Sequence, residues 1–106
     1  MNQAERIRYL EQLLQNDPRD PFLAYVLALE YNNLGQLDDA VELLEGLRLN
    51  EPDYVPTYYQ LALIRMERGE SEEARRVIEE GMALTISKDA KTHGELRALL
   101  DELDDN

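Results

Sequence analysis

LALEYNNLGQLDDA, Leu27 to Ala40, is followed 34 residues later by LALIRMERGESEEA, Leu61 to Ala74. The two stretches share Leu27/Leu61, Ala28/Ala62, Leu29/Leu63, Gly35/Gly69 and Ala40/Ala74, and each places two acids before its last alanine (Asp38-Asp39 and Glu72-Glu73). Apolar residues in both recur at three- and four-residue spacing, the signature of helix. A glycine interrupts each period, where a turn can use positive φ at little cost. The repeated unit is therefore a helix, a glycine turn and a second helix.

The same reading extends outward. Ala4, Ile7, Leu10, Leu13 and Leu14 form one stripe on a first helix that Asp17-Pro18 should end near Asn16. Asp20 can cap the next helix, with Pro21 at its first position, and that helix runs to about Leu34. A helix from about Leu37 to Leu49 follows, with Asp38 and Asp39 at its positive end, and Glu51-Pro52-Asp53 closes it. The cycle begins again with a helix from about Val55 to Arg68. Ser71 is a candidate cap for the next helix, which runs to about Ile86. Leu96, Leu99, Leu100 and Leu103 mark a last helix, started either by a Thr92–Glu95 capping box or by Asp89. Asp104-Asp105-Asn106 should fray. No segment alternates with period two, so no sheet is expected.

Composition narrows the function classes. The 106 residues suit one domain of modest core, and an apolar fraction of 43% fits a folded chain. With no cysteine there is no disulfide, thiolate metal site or cysteine nucleophile. The N-terminal stretch lacks an apolar secretory core, and no membrane span is present. A cytoplasmic location is expected. Acids outnumber bases 23 to 11, for a net charge of −12, which opposes nucleic-acid and anionic-membrane partners. Half of that net charge lies between Pro21 and Tyr54, with seven acids and one base. Such acids serve first as a solvated face.

Catalysis has little material. His93, the only histidine, stands beside Gly94 at a helix start, where an exposed first-turn residue is expected. Acids adjacent in sequence point about 100° apart on a helix and make no carboxylate dyad. Glu72–Arg76 and Arg75–Glu79 have the spacing of pairs one helical turn apart. No phosphate loop, calcium loop or metal spacing is present. No enzyme activity, cofactor or metal is expected.

The two cycles resemble the tetratricopeptide repeat, a helix–turn–helix unit of 34 residues. The first supplies Ala24, Leu27, Ala28, Tyr31, Ala40, Leu44 and Pro52; the second supplies Tyr58, Leu61, Ala62, Arg65, Ala74, Ile78 and Ile86. Ala24 departs from the family's large aromatic, Arg65 from its tyrosine, and Ile86 from its proline. The resemblance implies an all-α, antiparallel helix-hairpin solenoid fragment of about six helices. One domain is expected over residues 1–106, divided into an N-terminal half-repeat (1–17), two repeats (21–54 and 55–88) and a capping helix (89–106).

A helix packed on one side shows a polar face, yet Phe22 to Leu29 is unbroken apolar sequence and Tyr58 to Ile64 nearly so. Leu27, Ala28, Tyr31, Leu61 and Ala62 account for the packing within the repeats. The remainder, Phe22, Tyr25, Leu29 and Asn33 with Tyr59, Gln60, Leu63 and Met66, falls on other faces. Family geometry places the first helix of each unit on the concave surface, so these eight are the expected partner-binding groove. The expected function is that of an adaptor or scaffold for a protein or peptide, such as an amphipathic helix. The alternative is a homo-oligomeric structural protein that buries the same surface against itself. Cover by the chain's own terminal helices is a third use of these faces. Some family members clamp a terminal carboxylate with basic residues on inner helices. Here Tyr25, Leu29, Pro56, Tyr59, Gln60 and Leu63 offer no cation for that.

Overall fold

The computed structural model describes residues 1–105. It contains six α-helices in chain order and no strand among the described residues: α1 (Gln3–Asn16), α2 (Pro21–Asn33), α3 (Leu37–Asn50), α4 (Pro56–Glu67), α5 (Ser71–Thr85) and α6 (Ala90–Asp104). Among the described residues, no helix is long and apolar enough to cross a membrane. The helices form two compact units, Met1–Tyr54 with α1 to α3, and a second from Val55 onward with α4 to α6.

In the first unit, α2 packs against both α1 and α3. Ile7 and Leu10 of α1 meet Leu27 of α2, and Leu14, Leu23, Val26, Tyr31 and Leu43 pack around them. Ala28 and Ala40 are buried, the small residues at the close approach of α2 and α3. Asp20 caps α2 as its sequence position requires, its Oδ1 accepting from the N–H groups of Phe22 (2.9 Å) and Leu23 (3.3 Å). Asn2 does the same for α1 through the N–H of Glu5. Gly35 takes φ of 79°, and the Gln36 N–H donates to the Tyr31 carbonyl across the turn.

In the second unit, α4 and α5 form the hairpin and α6 packs on both. Leu61, Ala62, Ala74 and Ile78 are fully buried, and Leu96 brings α6 into this core. Gly69 repeats the turn with φ of 75°, and the Glu70 N–H donates to the Arg65 carbonyl.

Four local expectations are corrected. Ser71 is not the cap of α5: the Glu70 carbonyl accepts the first helical bond, from Ala74, which makes Glu70 the cap residue. Its carboxylate turns back to Arg65 instead of to the helix N–H groups. Asp89, and not Thr92, caps α6, accepting from both the N–H (3.0 Å) and the hydroxyl (2.8 Å) of Thr92. These bonds hold the Asp89 carboxyl below its usual range. The pairings foreseen within α5 are replaced as well. Arg75 reaches α6, where Nη2 donates to Asp104 at 2.6 Å, and Arg76 lies 3.6 Å from Glu73. α6 runs to Asp104, with Asp105 at its end; Asn106, the last of the three residues expected to fray, lies outside the described residues. His93 falls within the first turns of α6 and is half-buried where an exposed position was expected.

Candidate partner-binding faces

On α2, Phe22, Tyr25, Leu29 and Asn33 follow one another at spacings of three and four, so they share a face. The opposite side carries Ala24, Leu27 and Ala28, all buried. Phe22 is 61% exposed, Tyr25 and Leu29 are half-buried, and Asn33 is exposed. Tyr25 is engaged within its own unit. Its ring meets Tyr54 edge to face, with centroids 5.9 Å apart and planes at 63°. Burial, then the charge of Asp20, raises the Tyr54 phenol above its ordinary range. Tyr54 was not singled out in the sequence. It sits beyond the end of α3, and no helical period announces it.

On α4, the buried side is made by Thr57, Tyr58, Leu61, Ala62 and Ile64. Tyr59, Gln60, Leu63 and Met66 lie outside it and are half-buried. Each first helix thus buries one side and keeps a second apolar row partly in solvent.

The two repeats differ at the ends of these helices. Tyr31 donates its hydroxyl to Glu11 of α1 at 2.5 Å. Burial first, then this bond and the charges of Glu11, Asp39 and Glu42, raise its pKa to about 12. Arg65 takes the same place in the second repeat. Its Nη1 donates to Glu70 at 2.8 Å, and Arg68 lies 3.6 Å from the same carboxylate. The departure from tyrosine therefore comes with its own counter-ion, five residues on.

They differ again where Ala24 and Tyr58 share a register. Tyr58 is 4% exposed and lies against Gly81 of α5. In the first unit that register holds Ala24, with Leu47 where the second unit has Gly81. A cleft of about 600 Å³ lies over Ala24, lined by Leu14 and Pro18 on one side and Leu43, Gly46 and Leu47 on the other. A second cleft of about 570 Å³ shares Leu14, Pro18, Glu42 and Leu43 with the first and extends along Leu27 to Tyr31. No sequence signal beyond the missing aromatic pointed to it.

The tetratricopeptide repeat profile matches the chain twice, over residues 2–63 and residues 34–103. The chain belongs to the tetratricopeptide repeat family, whose fold generally mediates protein–protein interaction. No curated protein matches it in sequence. Among solved structures, a tetratricopeptide repeat domain protein from Salinibacter ruber is 28% identical, over 83% of this chain and 90% of its own, with a TM-score of 0.79. The Sgt2 TPR domain from Aspergillus fumigatus is 20% identical over 97% of this chain and 69% of its own, with a TM-score of 0.80. MamA is 18% identical over 93% and 65%, with a TM-score of 0.70. The last two speak for the fold alone.

Proposed function

We propose that this chain is an interaction scaffold that takes a peptide or amphipathic helix of a partner protein on the first-helix faces of its repeats. The reading rests on the half-exposed apolar row that α2 and α4 each retain after burying their packing sides: Tyr25 and Leu29 on one, Tyr59, Leu63 and Met66 on the other. Tyrosine suits such a face because it offers a flat ring and a hydroxyl together. Burial of about 300 Å² of this surface contributes roughly 7 kcal/mol at about 25 cal/mol per Å², before the cost of association. Hydrophobic contact therefore dominates over charge.

The test compares the proteins captured by the unaltered chain with those captured by Leu63→Glu and Tyr59→Ala, each first shown to keep its helical circular dichroism. Loss of the same captured protein in both variants supports the reading, and full retention in both ends it. Light scattering at low and high concentration separates the alternative. A mass that doubles with concentration, and that Leu63→Glu returns to the monomer, assigns the face to a second copy of the chain.

A further inference from the structure

Two glycines interrupt the second helices of the repeats, and the fold requires only one of them. A Cβ on Gly81 of α5 would lie 2.7 Å from Leu96 Cδ1 and 2.8 Å from Tyr58 Cβ, so no side chain fits. A Cβ on Gly46 of α3 would meet nothing within 4 Å. Glycine inside a helix costs about 1 kcal/mol relative to alanine, and at Gly46 no close approach within the chain offsets that. Gly46 instead lines the 600 Å³ cleft, together with Ala24, where the family's large aromatic is absent. Two small residues, Ala24 and Gly46, thus line one cleft.

The rim of this cleft has one sign. Glu11, Asp39 and Glu42 line its far part, and Asp20 and Glu51 the near part, against the single cation Arg19. Glu42 and Asp39 are exposed, and no lysine or arginine pairs with either among the described residues. Burial first, then the bond to Glu11 and the charges of Glu11, Asp39 and Glu42, raise the pKa of the Tyr31 phenol on the cleft wall. The floor is apolar, from Leu14, Leu27, Leu43 and Leu47.

We infer that this cleft of the first unit, between α1 and α3, is a second docking site, and that its occupant is a basic amphipathic helix of a partner protein. The apolar side of that helix seats over Ala24 and Gly46, and its lysines or arginines face Glu42, Asp39 and Glu11. A cleft flanked by two helices accepts a further helix as the next member of the bundle. The carboxylates of Asp39 and Glu42, which no lysine or arginine pairs among the described residues, select a cation, and they steer its approach. A second copy of the chain is a poor occupant, because its own net charge is −12.

The test uses a synthetic helical peptide with leucines at i, i+3, i+4 and i+7 flanked by lysines, and its counterpart with glutamates for the lysines. Calorimetry is run on the full chain. The expected result is binding of the lysine peptide alone, weakening as salt rises. A Cβ at position 46 meets no atom within 4 Å, so Gly46→Leu should fold, place its side chain in the cleft and lose affinity by tenfold or more. Asp39→Lys/Glu42→Lys should lose as much, while Glu79→Lys/Glu80→Lys on α5 should change it less than twofold. Equal loss from the α5 pair would mean diffuse attraction to an acidic protein and would overturn the assignment. So would undiminished binding to folded Gly46→Leu, equal binding of the glutamate peptide, or loss only in Leu63→Glu, which would place the peptide on the α4 face.

Discussion

Gly81 of α5 lies against Tyr58 of α4 so closely that a Cβ on the glycine would stand 2.8 Å from the tyrosine's own Cβ. Both atoms are fixed by backbone, so neither can give way. The first repeat places Ala24 and Leu47 at the same two registers, with the bulk on the other helix. Replacing Gly81 by alanine sets two terms against each other. Helix propensity favours alanine by about 1 kcal/mol. Overpacking at a rigid contact costs about 1–3 kcal/mol, and here it presses on Leu96 of α6 as well. The expected outcome is a lower midpoint in urea unfolding for Gly81→Ala and a higher one for Gly46→Ala.

Glu70 holds Arg65 at 2.8 Å and Arg68 at 3.6 Å across the Gly69 turn. Arg65 is largely buried, with 16% of its side chain exposed, so its charge depends on that partner more than a surface arginine would. Glu70→Ala should lower stability by about 1–3 kcal/mol. The double variant Arg65→Tyr/Glu70→Gln copies the first repeat and should lose less than the sum of its parts. Additive losses in a double-mutant cycle would show the two residues to be uncoupled.

Thr57 on α4 is fully buried, and its hydroxyl has no hydrogen-bond partner among the described residues. The first repeat has Leu23 at this register. Thr57→Val keeps the shape and removes an unsatisfied polar atom. It should raise stability by about 1 kcal/mol. A lowered thermal midpoint would reveal a partner for the hydroxyl.

Tyr31 ionises near 10 in the unfolded chain and near 12 in the folded one. The folded state therefore keeps a proton that the unfolded state has lost throughout that window. Stability is fully present below pH 10 and falls as pH rises toward 12. Tyr31→Phe should be less stable at neutral pH, lacking the bond to Glu11, but should lose less between pH 10 and 12. Parallel alkaline profiles for the two proteins would count against this role.

The repeat was legible because its determinants are local. Gly35 and Gly69 announce turns, Asp20 a cap, and Ala28, Ala40, Ala62 and Ala74 close helix approaches, all from spacing along one segment. Gly81 was not legible, because its need arises from Tyr58 and Leu96 on two other helices. The pairing of Arg75 with Asp104 was hidden for the same reason: spacing within α5 offered Glu79, and only packing brings α6 near. Ser71 looked like a cap from composition, but the turn after Gly69 re-enters the helix one residue earlier. Of the eight face residues, Tyr25, Leu29, Tyr59, Leu63 and Met66 are half-buried and apolar, Gln60 is half-buried and polar, and Phe22 and Asn33 are exposed; helical spacing marks which residues packing within a repeat leaves over.

The central claim is that a partner touches the first-helix faces, and site-specific photocrosslinking on α4 reads this directly. A photoreactive residue is placed in turn at Tyr59, Leu63, Glu79 and Glu80, in variants that keep full helical content, and the covalent products are sized and identified. The account predicts one shared protein adduct from Tyr59 and Leu63 and none of that adduct from Glu79 or Glu80. An adduct formed from the α5 positions and absent from both α4 positions would contradict it.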